Sequence, residues 1–312
     1  MVLKRESSKS LSALPKPEDY PEVCQKNLDM FFRFLHKRHN IYIRRFIKKK
    51  PPPWTKDPIL EKYKFTNVYR ILDRGSQWMI KNIIENDKYP RLQDKVWACI
   101  FYRINNNIET FEACGIPLRK KFNPEKYEKR LNSYKSKGFR VFTNAHITCQ
   151  SNLKQSRIAN FITIVTKLKK NWKYIWKEIK KFRKILDWEG CFKFFLKQYG
   201  FGGFTSYEVC IDMVYAGVFP DKVRDTFANP GPGCEFGIET IYPNRECISY
   251  TDAMSELTDE QDEHFEHLGI KFKGPRLTLQ DMEFCLCEWG KYWKIKKQVG
   301  KARMHFHPIT KV

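Results

Sequence analysis

Apolar residues return every three or four positions along much of this chain, and that spacing predicts helices. Between residues 92 and 114, Val96, Trp97, Ile100, Phe101, Ile104 and Ile108 keep the rhythm, which predicts one core helix. Between residues 167 and 186, Leu168, Trp172, Ile175, Ile179, Phe182 and Leu186 do the same while nine Lys or Arg fill the other faces. That pattern predicts an amphipathic helix with a basic back. A helix over residues 23–47 is followed by Lys48-Lys49-Lys50-Pro51-Pro52-Pro53, a stiff basic connector, because proline lacks the N–H and blocks helix continuation. A last helix opens at Thr278 and Asp281 and runs through Trp293, with Met282, Cys285, Leu286, Trp289 and Trp293 as its buried stripe. Apolar and polar residues rarely alternate strictly; residues 139–147 are the best short strand candidate. The predicted class is mainly α and multi-helical, without a repeat at solenoid period. Residues 1–22 read as a disordered or loosely docked lead-in, and 23–312 as one helical domain, with two interlocked lobes as the variant.

The polar positions add candidate chemistry. In residues 53–74, Asp57 can cap a helix that has Pro58 at its first position. Asn67, Arg70 and Asp73, with Arg74, then recur at helical spacing, while Ile59, Tyr63, Val68 and Leu72 supply apolar contacts. This predicts a site carried on a helix, against the plainer reading of a solvated polar face. Gly200, Gly202 and Gly203 lie between two apolar runs, where glycine lets the backbone approach a phosphate or simply turn. Glu208 and Asp212, four apart, share a helix face; mutual repulsion can raise one pKa and make a general base, or both can pair with a basic neighbour. Asn229-Pro230-Gly231-Pro232-Gly233 cannot be regular structure, so it is a shaped loop that either presents N–H groups at Gly231 and Gly233 or serves as a rigid connector. Glu283, Cys287 and Lys291 repeat every fourth residue, with Glu288 three before Lys291. They form either an exposed salt-bridge ladder or a site with Glu283 as acid or base and Lys291 on a phosphate.

Composition narrows the partner. Lys and Arg number 58 against 35 Asp and Glu, leaving +23, which points to a polyanion. Twenty-four Phe, 15 Tyr and 8 Trp supply both a core and surfaces on which bases can stack. No apolar run is long enough to span a membrane. The N-terminal segment lacks the apolar block of a secretory signal, so an intracellular location is expected: the nucleus of a eukaryote or the host cytoplasm for a virus. Ten cysteines without a metal-type pair or compact disulfide spacing read as reduced thiols. His36 with His39, and His305 with His307, lack convergent ligands, so no metal is expected. No Gly-x-x-x-x-Gly-Lys-Ser/Thr run occurs, which leaves P-loop phosphoryl transfer unsupported.

Several blocks in order carry a family resemblance. They are Phe34-x-x-x-Arg38-His39-x-Ile41 with Arg44-Arg45, the 53–74 segment, Phe142-Thr143-Asn144-Ala145-His146, the glycine turn with Glu208 and Asp212, and Asn229 to Gly233 with Gly237. The last is Asp281-x-Glu283-x-x-Leu286-Cys287-Glu288-x-x-Lys291-Tyr292. Over roughly residues 28–308 the chain resembles the helical domain of phage hydroxymethyluracil DNA kinases and the alpha-glutamyl-putrescinyl thymine pyrophosphorylases, also described as amino acid:DNA transferases. The glycine turn itself resembles the hairpin of helix-hairpin-helix proteins, so a DNA glycosylase-like fold is implied. The resemblance implies a modified thymine in DNA whose exocyclic methylene carries a pyrophosphate, displaced by an amine. The implied partners are DNA and a separate DNA base kinase, with an amino acid or polyamine co-substrate and no bound cofactor. Arg70, Arg74 and Lys291 would hold the anion, and Glu208, Asp212 or Glu283 would move the proton. Asn67 and Asn144 would read the base edge. Asp73, Gly200, Gly202, Gly231, Gly233 and Glu288 join the base or phosphate site, and Arg44, Arg45, Lys48, Lys49 and Lys50 grip the DNA backbone. Two alternatives stay open: a base glycosylase using Asp225 or Asp221, and a DNA-binding module without chemistry.

Overall fold

A computed structural model describes residues 22–143, 155–244, 248–300 and 305–306. Among these, the helices in chain order are α1 Gln25–Tyr42, α2 Pro58–Lys62, α3 Arg74–Met79, α4 Leu92–Asn105, α5 Ile108–Cys114, α6 Pro124–Ser136 and α7 Arg157–Lys170. They continue with α8 Trp172–Ile185, α9 Trp188–Leu196, α10 Gly203–Tyr215, α11 Pro232–Ile241, α12 Tyr250–Asp259, α13 Gln261–His267 and α14 Leu279–Lys296. The only strand-like pairing among the described residues is one isolated bridge, Tyr63 to His305. The mainly helical class therefore stands.

Two compact units divide the chain. The first comprises the described residues up to Lys64, Pro232–Arg276, and those from Cys285 onward; the second comprises Phe65–Gly231 and Leu277–Phe284. In the first, Phe31, Phe32, Phe34 and Leu35 of α1 are buried with Ile238 of α11, Leu257 of α12, Phe265 of α13 and Trp289 of α14. Rings pack edge to face, Phe32 on Phe265 at 5.0 Å and Phe31 on Trp289 at 5.9 Å between centroids. Helices α11 and α14 meet backbone to backbone: a Cβ on Gly237 would lie 2.2 Å from the Leu286 carbonyl oxygen, and one on Gly290 would lie 2.8 Å from that of Gly233.

In the second unit, α10 packs on α4 and α9. Trp97, Phe101 and Tyr102 of α4 are buried beside Phe111, Phe122, Tyr127 and Phe161. The predicted helix over 92–114 is two helices, because Asn106 takes a left-handed conformation (φ 56°). Flanking polar side chains hold the corner: Asn105 Nδ2 donates to the Val141 carbonyl at 2.9 Å, and Asn107 Nδ2 donates to that of Arg140 at 2.8 Å. Thr110 Oγ1 adds a bond to Val141 O at 2.7 Å. The same bonds explain why residues 139–143 form no strand, since side chains occupy carbonyls a ladder would need; residues 144–147 lie outside the described part. The single helix predicted over 167–186 is also two, α7 and α8, meeting at Asn171; one apolar rhythm runs straight across the corner. The expected stripe is buried at Leu168, Trp172, Ile175 and Ile179, and the basic back lies on α8, with Lys173, Lys177, Lys180 and Lys184 exposed.

The polar segment at 53–74 needs the largest correction. Its start is as expected: Asp57 accepts the Ile59 and Leu60 N–H groups at 3.1 and 3.3 Å, and Pro58 opens α2. The helix stops at Lys62, whose carbonyl accepts the Phe306 N–H at 2.9 Å. Arg70–Leu72 forms only a 3-10 turn, and α3 begins at Arg74. Asn67 donates its backbone N–H to Asp73 Oδ1 at 2.8 Å and its amide to the Leu72 carbonyl at 2.9 Å. Such local side-chain bonds offer the backbone an alternative to a helix, and here they win. The acidic stretch 255–266 lies in α12 and α13, short helices. The lead-in before residue 22 lies outside the described residues. Among those described, the eight cysteines are free thiols and no helix is long and apolar enough to cross a membrane.

Candidate functional site

Three elements of the second unit aim charged side chains into its interior. Glu208 and Asp212 sit one turn apart on α10, Arg103 comes from α4, and Arg70 opens the 3-10 turn that Asn67 stabilises, with Asp73 just after it. Arg103 grips Asp212 with two parallel bonds, Nε to Oδ2 at 2.8 Å and Nη2 to Oδ1 at 2.5 Å. Its Nη1 lies 2.7 Å from Glu208 Oε2. Arg70 reaches the same Glu208 oxygen at 2.6 Å with Nη2 and Asp73 Oδ2 at 3.0 Å with Nη1. One carboxylate oxygen thus bridges two guanidinium groups, which keeps two like cations tolerable in a low-dielectric interior.

The first turns of α14 complete the cluster. Thr278 and Asp281 exchange bonds across the helix start, Asp281 N–H to Thr278 Oγ1 at 3.2 Å and Thr278 Oγ1 to Asp281 Oδ2 at 2.8 Å. Asp281 also accepts the Arg70 backbone N–H at 3.2 Å and Arg224 Nη2 at 2.6 Å. Phe284 lies under the Arg70 guanidinium, 4.6 Å from ring centroid to Cζ. Glu283, 6% exposed, accepts the Gly231 backbone N–H. Among the described residues, three guanidiniums (Arg70, Arg103, Arg224) face five carboxyl groups: Asp73, Glu208, Asp212, Asp281 and Glu283.

That imbalance sets the protonation states. Burial, with the Glu208 charge adding to it, pushes the Glu283 carboxyl up to about 8, against the opposing Gly231 N–H and Arg70. Glu283 is therefore largely protonated at neutral pH, which relieves the excess negative charge. Burial also pushes Asp212 up to about 6, although the Arg103 fork works in the other direction. Arg70 and Arg103 stay charged, their guanidinium pKa values raised by Glu208 and Asp212 in spite of burial. The Nε of Arg70 has no hydrogen-bond partner among the described residues and is a donor still to be satisfied. Chemically, the arrangement offers a near-neutral carboxyl that can give or take a proton beside fixed cations.

Of the residues singled out from the sequence, Asn67, Arg70, Asp73, Glu208, Asp212, Gly231 and Glu283 converge here. The rest do not. Arg74 pairs with Glu109 at 2.8 Å on the surface, with 63% of its side chain exposed. Asp225 accepts the Leu279 N–H at 3.0 Å and so caps α14, while Asp221 pairs with Arg224 and is 75% exposed. Gly200 is a turn residue (φ +79°), and a Cβ there would lie 2.4 Å from Ile164. Gly202 precedes α10 with nothing within 4 Å of an added Cβ. Gly233 is a packing position, where a Cβ would meet Cys287 Sγ at 2.6 Å. In the first unit, half-buried Lys291 donates to Glu288 at 2.6 Å and to the Lys64 carbonyl at 2.9 Å. Also there, Arg44 donates to the Trp54 carbonyl at 2.8 Å, Arg45 lies 4.9 Å from the Trp54 ring, and Lys48, Lys49 and Lys50 are exposed. His39 Nε2 bonds the Lys273 carbonyl at 2.5 Å, and burial lowers its pKa. Asn144 and His307 lie outside the described residues.

Sequence reading missed Arg103 and Arg224. Arg103 carried a usable signal: a cation between Tyr102 and Ile104, inside a helix apolar on nearly every side, has to find a buried carboxylate. Arg224, beside exposed Asp221 and Lys222, carried none.

Comparison with known proteins places this geometry. The chain is 29% identical over 297 residues, covering 88% of this chain and 46% of the relative, to a 5-hmdU DNA kinase of Bacillus phage SP10. It spans about half the length of that curated relative. No solved structure matches it. Residues 25–302 match the family model described as 5-hmdU DNA kinase, helical domain, a span that holds the whole buried cluster from Asn67 to Glu283, and the chain belongs to that family.

Proposed function

We propose that the chain modifies a hydroxymethyluracil-derived base in DNA, exchanging an activated group on the base methylene for an amine. The observation that carries this reading is Glu283, a buried carboxyl poised near 8 between Gly231 and the Arg70–Glu208 pair. In this reaction the amine nitrogen forms a bond to the exocyclic methylene carbon, and the carbon–oxygen bond to pyrophosphate breaks. The pyrophosphate leaves with the electron pair, and the attacking nitrogen gives its extra proton to the Glu283 carboxylate. Arg70, with its spare Nε donor, steadies the departing negative charge. The base has to leave the stack to reach a buried group.

An amino acid or polyamine supplies the amine. This reading requires a base already activated by phosphoryl transfer, and the phage relative is named a DNA kinase. The phage relative favours a bacterial host cytoplasm over a nucleus as the setting. Base excision is less favoured, because Asp225 is engaged as a helix cap and Asp221 is exposed.

The test uses DNA carrying thymine, hydroxymethyluracil or pyrophosphorylated hydroxymethyluracil, incubated with an amine pool, digested to nucleosides and weighed. An amine adduct formed only from the pyrophosphorylated base is expected. Free base would indicate excision, and unchanged DNA would reduce the chain to a binding module.

A further inference from the structure

The first unit holds a cleft of about 960 Å³ that takes no part in the buried cluster. Arg33 and Lys37 of α1 line it, with Arg44 just past that helix, and Lys56 and Lys296 line it as well. Asp57 is the lone carboxylate among its described lining residues, and its two oxygens are already engaged. Oδ1 caps α2, and Oδ2 takes Lys37 at 3.0 Å and Tyr292 Oη at 2.8 Å. Arg44 donates to a neutral carbonyl, and Arg33, Lys56 and Lys296 have no carboxylate within salt-bridge distance among the described residues.

Exposed lysines scattered on a convex surface are ordinary. Cations ringing a concave wall differ, because low-dielectric walls focus their field and raise local anion concentration. His36 in the same wall registers that field: its pKa is lowered by burial and then by Arg44 and Lys273. The volume lies at the top of the range for small-ligand pockets, which suits a length of strand better than one free phosphate. Just past α1, Phe46 is 53% exposed, a ring on which a base can stack.

We infer that this cleft seats the phosphodiester backbone of DNA, with Arg33, Lys56 and Lys296 as its free phosphate contacts. The inference shares with the proposed function only the premise that DNA is the substrate.

The experiment measures binding of a fluorescein-labelled DNA duplex to the full chain over a salt series. The triple variant Arg33→Ala, Lys56→Ala, Lys296→Ala is compared with a charge-matched triple on α8, Lys173→Ala, Lys177→Ala, Lys184→Ala. All six positions are exposed, so melting temperatures should stay at the wild-type value. The cleft variant is expected to bind at least about tenfold more weakly, with a salt slope reduced by about 0.9 for each phosphate that is no longer neutralised. The α8 variant should change affinity less than about threefold. Equal weakening in both would mean diffuse surface charge, and unchanged affinity in the cleft variant would overturn the site outright. Loss of inorganic pyrophosphate binding with intact DNA affinity would reassign the cleft to a free anion. Affinity is read on unmodified DNA without an amine donor, so failure of base modification and failure of the cleft are read separately.

Discussion

The two units use arginine in opposite ways. In the second, Arg70 and Arg103 are buried and each bonds more than one carboxylate; in the first, Arg33 and Arg44 line an open cleft without a carboxylate partner among the described residues. A buried guanidinium loses its hydration and needs its partners in place, so it fixes geometry and protonation states but is costly to disturb. An exposed one keeps its water and contributes little to the fold, and its charge remains available to a polyanion. The difference teaches where to look for each activity: proton chemistry where charge is enclosed and unbalanced, strand binding where charge is open and unopposed.

The harshest way to break this contrast is Arg103→Met, which strands Asp212 in the interior and leaves Glu208 to Arg70. A loss of about 3–5 kcal/mol in chemical denaturation is expected. Arg103→Lys should recover only part of it, because an ammonium cannot reproduce the two-pronged grip on Asp212. A loss under about 1 kcal/mol would mean that the network is not what holds α4 to α10.

Glu283→Gln separates chemistry from stability. Turnover should fall by about 100-fold or more, the scale of general acid–base catalysis. DNA affinity should be unchanged. Wild-type turnover should climb as pH rises through about 8, where the carboxyl loses its proton and becomes a base. The stability trend runs the other way. Because folding raises this pKa above its ordinary value of 4.5, its contribution is full below that value and is lost as pH climbs to about 8. The difference in Tm between wild type and Glu283→Gln should therefore shrink or reverse across that window. A pH-independent difference would remove Glu283 as the titrating group.

Asp225→Ala sharpens the choice of carboxylate. It removes the acceptor for the Leu279 N–H, so a cost of about 1 kcal/mol is expected with turnover retained. Abolished activity in a folded protein would instead restore the excision mechanism. The smallest effect belongs to Gly202→Ala, whose new methyl meets nothing within 4 Å. Its unfolding free energy should change by less than about 0.5 kcal/mol. A selective loss of DNA binding in that variant would make the turn a phosphate contact after all.

Legibility followed distance along the chain. Asp57 with Pro58, and Thr278 with Asp281, were readable as helix starts because a cap bonds within three residues. Glu208 and Asp212 were readable as a pair because four residues make one turn. The breaks at Asn106 and Asn171 were not, since an apolar rhythm continues across a corner whenever both arms pack on a core. Nor could spacing show that Gly233 faces Cys287.

The sequence alone determined the helical class, the faces to be buried, the basic charge and the family, because periodicity, caps and composition are local or additive properties. Tertiary structure alone decided which charges meet. Arg70, Arg103, Glu208 and Asp281 lie dozens to hundreds of positions apart, and burial is what makes their pairing obligatory. It also raises the pKa of Glu283, for a carboxyl's proton affinity depends on the water it loses and the neighbours it gains, neither of which is written in its own segment.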